Sequence, residues 1–121
     1  MSTILIIDDE PQVGRLVGSV LRNAGFDVRF AQTPVDGIHQ AMEARPDLII
    51  TDYEMGDVNG ADLCVHLKSR AETKDVPVVL VSGKPGLDGD EMAGFTGADA
   101  FLAKPLSSSG LVRKVRALLA P

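Results

Sequence analysis

Short runs of Ile, Leu and Val alternate with stretches of helical periodicity five times along the chain, and this alternation restricts the fold more than any other feature. Strands covered on both faces read as unbroken aliphatic runs, and strand–helix repeats build a parallel sheet between two helix layers. The strand runs are residues 3–7, 27–31, 47–51, 76–81 and 98–103. Pro11 falls in the first turn of the first helix, whose apolar stripe is Val13, Leu16, Val17, Val20 and Leu21 and which Gly25 ends. Thr33 and Pro34 supply the N-cap and first residue of a second helix, with Val35, Ile38, Ala41 and Met42 facing inward. Leu63, Val65 and Leu67 mark a third helix. A fourth, near residues 87–95, lies in a glycine-rich stretch and is intrinsically the weakest. Ser107, Ser108 and Ser109 cap a final helix carrying Leu111, Val112, Val115, Leu118 and Leu119. The expected fold is α/β, a doubly wound five-stranded parallel sheet with helices on both faces.

The 121 residues suit one domain with a single core, spanning 1–121, and leave no room for a second, output domain. A lone Cys64 cannot form an internal bridge, and the start of the chain lacks a basic segment followed by an apolar core. No apolar stretch approaches the roughly 18 residues that span a bilayer. These features lead to the expectation of a cytoplasmic protein. Net charge is −5 with scattered basic residues, so nucleic acid is not an expected direct partner. Arg113, Lys114 and Arg116 form the one basic group, and cations near the end of a helix also complement its dipole.

Ligands of open parallel sheets bind outside the carboxyl ends of the strands. Asp8 and Asp9 follow the first run, Asp52 the third, Ser82 the fourth and Lys104 the fifth. Singly, each has an ordinary explanation as a helix cap, a loop acid, a turn former or a solvated lysine. Jointly, polar groups of complementary charge at the ends of four strands are hard to assign to loop composition. Carboxylates gathered at the ends of buried strands repel one another, and a hard divalent cation with oxygen ligands is the ordinary remedy. Magnesium and phosphoryl chemistry are the implied pair.

With these residues in place, the chain resembles the receiver domains of two-component response regulators over essentially its whole length. The resemblance rests on Asp8-Asp9, on Asp52 with Gly60 eight residues later, on Ser82 thirty residues after Asp52, and on Lys104-Pro105 twenty-two residues after Ser82. It implies a flavodoxin-like sheet of strand order 2-1-3-4-5. It further implies that Asp52 accepts a phosphoryl group from the phosphohistidine of a sensor kinase or phosphotransfer protein. Magnesium would be held by Asp9, Asp52 and the backbone carbonyl of Glu54, with Asp8 acting through water. Lys104, preceding a proline in a bond that is typically cis in this family, would bind a phosphoryl oxygen. Ser82 would move to hydrogen-bond the phosphoryl group, and Phe101 would turn inward with it. The readout would run through the fourth helix, fifth strand and final helix to a downstream protein, in a chain that is a switch and no classical enzyme. Charge and composition leave phosphorylation-dependent dimerisation open, as they do the choice between a stand-alone regulator and a fragment of a larger one.

Two positions depart from the family pattern: Gly56, often proline, and Leu106, often aromatic. In related receivers the positions of Glu54 and Lys84 flank the phosphoryl group, and an ion pair between them is expected to hinder hydrolytic water. His39 and His66 read as helix-surface residues and Tyr53 as a packed loop aromatic. A receiver that signals by contact alone, a magnesium-dependent aspartyl phosphatase and a flavodoxin are the alternatives. The complete acidic and basic set argues against the first. Glu54 stands where the second needs an aspartate, and 121 residues are expected to leave no room for a substrate-covering cap. Acids after the first strand oppose a flavin phosphate.

Overall fold

The computed structural model describes residues 2–55, 59–83 and 97–120. Along them run β1 (Thr3–Ile7), α1 (Pro11–Asn23), β2 (Asp27–Ala31), α2 (Pro34–Glu43), β3 (Leu48–Asp52), α3 (Gly60–Ser69), β4 (Val78–Ser82), β5 (Ala100–Ala103) and α4 (Ser108–Leu119). The fourth predicted helix, Gly56 and Lys84 lie outside the described residues. The five strands pair in parallel in the order β2-β1-β3-β4-β5, as expected.

Alternate strand residues feed two separate cores, because successive side chains leave opposite faces of a sheet. Leu5, Ile7, Ile49, Val78 and Leu80 pack with Ala41 of α2 and with Leu63, Cys64 and Leu67 of α3. Ile4, Ile6, Ile50, Val79 and Val81 pack on the other face with Val17 and Leu21 of α1 and with Leu111 and Val115 of α4. β1, β3 and β4 thus have both faces covered, which is why they read as unbroken aliphatic runs. The capping expectations hold: Thr33 Oγ1 accepts from the Asp36 amide at 3.1 Å and Ser107 Oγ from the Gly110 amide at 3.1 Å. Asn59 caps α3 in the same way, with Oδ1 accepting from Asp62 at 2.8 Å.

Three expected core residues instead face solvent. Leu16 is 70% exposed, Val35 64% and Val65 50%. In α1 the buried line is Gly14, Val17, Gly18 and Leu21, and Leu16 lies one residue, about 100° of helix, off it. In α3 the buried line is Gly60, Leu63, Cys64 and Leu67, so Cys64 takes the place expected of Val65. In both helices small residues, not bulky ones, complete the inward stripe. Strand ends also move. β3 begins at Leu48 and includes Asp52, while the Asp47 carboxylate accepts from the Thr3 amide at 2.7 Å. β4 begins only at Val78, because the Val76 amide turns back to the Thr73 carbonyl at 3.0 Å and Pro77 has no amide to donate, and β5 begins only at Ala100, where the Asp99 carboxylate accepts from the Val78 amide at 2.8 Å.

One glycine controls how α3 leaves the sheet. The Gly60 amide donates to the Tyr53 carbonyl at 2.6 Å, and a Cβ at Gly60 would fall on the backbone carbonyl of Asp52. Rigid backbone cannot yield as a side chain can. Gly60→Ala is therefore expected to cost about 2 kcal/mol of stability in denaturant unfolding. By contrast, Gly18→Ala places its methyl 3.4 Å from Val28 Cγ1, an ordinary contact, and should gain up to about 1 kcal/mol from helix propensity.

Candidate functional site

The ladder register carries the polar residues to one place. Ile7 pairs with Thr51, Asp52 with Val81, and Ser82 with Ala103. Asp8, Asp52, Ser82 and Lys104 therefore emerge at neighbouring strand ends. Backbone bonds extend the sheet just past each strand: Asp8 donates to Ala31 at 3.1 Å, Tyr53 to Val81 at 2.8 Å and Lys104 to Ser82 at 2.8 Å. The Lys104–Pro105 peptide bond is cis.

Within this cluster Lys104 Nζ lies 3.4 Å from Asp52 Oδ2. Asp52 Oδ1 accepts from the Glu54 amide at 3.4 Å, and Asp8 Oδ1 from the Glu10 amide at 2.9 Å. Ser82 Oγ donates to Glu54 Oε1 at 3.0 Å. Asp8, Asp52 and Ser82 are 3%, 5% and 2% exposed, whereas Asp9 and Glu10 stand at the solvent edge. Ligand oxygens of Asp8, Asp9, Glu10 and Asp52 all lie within 4.8 Å of one another. Two buried and two exposed carboxylates converging so closely fit a hard cation that is reached from solvent and keeps part of its water shell.

Burial drives the electrostatics. Loss of solvent raises the Asp8 pKa from 3.8 to about 6; the Glu10 amide and Lys104 oppose the rise, and the charges of Asp52 and Asp9 add to it. Burial also raises the Asp52 pKa, against the pull of the Lys104 cation and the Glu54 amide. One ammonium group does not offset the desolvation of two carboxylates.

Of the residues singled out from sequence, Asp8, Asp9, Asp52, Glu54, Ser82 and Lys104 meet here. Phe101 does not join the polar cluster; it is half-buried on β5, opposite Leu80 and against the core beneath α2 and α3. Leu106 is half-buried on the other face, in the layer containing Val13 and Val17. His39 and His66 are exposed on α2 and α3, and Tyr53 is half-buried. Glu10 is the acid that the sequence reading missed, although it directly continues the pair Asp8-Asp9.

A family model for the response regulator receiver domain matches residues 4–116. The chain belongs to this family. Receivers are signalling switches of two-component systems, and they generally bind magnesium. Among relatives of the receiver is the DNA-binding dual master transcriptional regulator RpaA of Synechocystis, 38% identical over 120 residues, covering 98% of this chain and 49% of that protein. The phosphate regulon transcriptional regulatory protein PhoB of Escherichia coli is 33% identical over 117 residues, covering 96% and 51%. The receiver spans about half the length of the curated relatives it matches. A response regulator structure from Chloroflexus aurantiacus superposes with a TM-score of 0.92 at 30% identity, covering 99% of this chain and 98% of that one. Chemotaxis protein CheY4 of Vibrio cholerae shares the fold, with a TM-score of 0.90 at 24% identity over 98% of this chain and 99% of that one. Among the described residues no helix is long and apolar enough to cross a membrane.

The raised carboxylate pKa values set the pH dependence of the metal-free protein. Between the unfolded value of 3.8 and the folded value of about 6 the native state holds more protons than the unfolded state, so stability falls as pH rises through that window. In chelator, unfolding should lose about 2–3 kcal/mol between pH 4 and pH 7 on account of Asp8. Asp8→Asn should flatten that slope and be the more stable protein at pH 7, as read from urea midpoints.

Proposed function

We propose that this receiver is a magnesium-dependent phosphoryl acceptor that takes its phosphoryl group on Asp52 from the phosphohistidine of a sensor kinase or phosphotransfer protein. The observation that carries the reading is the environment of Asp52. It is a buried carboxylate at the end of the central strand, with an ammonium group 3.4 Å from one oxygen and other acids within 4.8 Å. A carboxylate is a nucleophile at neutral pH and needs no base. Its oxygen forms a bond to phosphorus as the bond from phosphorus to the donor imidazole nitrogen breaks, and the electron pair leaves with the imidazole.

Lys104 supplies a fixed point charge for the oxygens of the transferring group. Asp9, Asp52 and the carbonyl of Glu54 would bind magnesium directly and Asp8 through water. When bound there, the metal would neutralise charge on the transferring group. Ser82, on the adjacent strand, is the donor that engages the phosphoryl group afterwards. Phe101, already half-buried against the core, is the side chain that follows it inward. The altered face, on β5 and α4, meets a downstream protein; the fourth predicted helix, expected to share in it, lies outside the described residues. The same reading sets the switch in the cytoplasm and gives it no direct contact with nucleic acid. RpaA and PhoB are transcriptional regulators about twice as long as this chain, so an output of that kind is a property of those proteins.

Intact mass spectrometry after incubation with acetyl phosphate tests this. The parent should gain one phosphoryl mass with magnesium and none with chelator, and Asp52→Asn should gain none in either case. Lys104→Ala should slow the reaction by about a hundredfold. A parent that stays unmodified in magnesium would leave a receiver that signals by contact alone.

A further inference from the structure

One hydrogen bond in the site has no part in phosphoryl transfer as described. Ser82 Oγ donates to Glu54 Oε1 at 3.0 Å. Ser82 is buried at the end of β4, and its carbonyl is held by the Lys104 amide. Glu54 reaches it from the loop after β3, two residues beyond Asp52, and the amide of Glu54 itself donates to Asp52 Oδ1. The loop thus touches the acceptor with its backbone and the switch hydroxyl with its side chain.

A serine hydroxyl has a single proton to donate. While the Glu54 carboxylate accepts it, no oxygen on Asp52 can receive it. Bonds to an ionised acceptor are about twice as strong as neutral ones, so the competition is appreciable. A phosphoryl group on Asp52 offers anionic oxygens beside the same hydroxyl and repels the carboxylate that holds it. Both effects move the proton from Glu54 toward the phosphoryl group.

We propose that Glu54 is a positioning residue, a latch that holds the Ser82 hydroxyl in the unphosphorylated state and must release it before the switch can engage. The inference rests on the reading of Asp52 as phosphoacceptor. It gives the glutamate a role through its acceptor oxygen, distinct from a general effect of its charge and from the expected ion pair with Lys84.

The test is a double-mutant cycle read as affinity for the phosphoryl mimic beryllofluoride in magnesium, followed by amide NMR shifts. Glu54→Ala removes the latch and should tighten binding about three- to tenfold. Glu54→Gln keeps a neutral acceptor and should fall between Glu54→Ala and the parent. In a Ser82→Ala background the gain from Glu54→Ala should shrink at least about threefold, because no hydroxyl remains to be released. Equal gains in both backgrounds would overturn the latch, leaving Glu54 to act by charge alone. A parent that binds no beryllofluoride would instead overturn the phosphoacceptor reading, and the latch with it.

Discussion

The desolvation of carboxylates gathered at one end of the sheet is the constraint on which the rest of the molecule turns. Asp8 and Asp52 are almost fully buried, and Lys104 is the cation that reaches them among the described residues. Withdrawing two carboxylates from water costs more than one ammonium group returns, which is why burial pushes both acids toward their neutral forms. A fold that keeps such a cluster carries a standing destabilisation that a bound cation relieves.

The parallel sheet makes that arrangement possible and fixes it in space. Its two cores, one beneath α1 and α4 and the other beneath α2 and α3, anchor alternate residues of every central strand. A slip of one residue would exchange the two aliphatic sets and move the terminal acids, so register is held by the same burial that holds the fold. Gly60 adds a local condition. It lets α3 start against the carbonyl of Asp52, beside the residues that carry the Glu54 side chain to Ser82.

Most of this was legible in the sequence because the central strands are buried on both sides. Unbroken runs such as Ile4 to Ile7 announce such strands, and a polar residue at the end of each is then placed by topology alone. Bulk was the less reliable guide on the helices. Leu16, Val35 and Val65 read as core and are exposed, since the inward faces of α1, α2 and α3 are completed by Gly14, Gly18, Gly37, Gly60 and Cys64, which fit closely against the sheet. Strand starts shifted where an aspartate, Asp47 or Asp99, captured a backbone amide in place of a ladder partner. The Ser82–Glu54 bond was invisible beforehand, because it depends on how a loop side chain folds back over a strand end. Spacing along the chain does not encode that.

On this reading the carboxylate cluster is built to take a divalent cation. Isothermal titration of the protein with magnesium chloride at neutral pH, beside Asp8→Asn and Asp52→Asn, tests it most directly. Saturable binding at one site is expected in the parent, weakened at least about tenfold in each variant. Absence of saturable binding in the parent, or equal affinity in all three proteins, would contradict it.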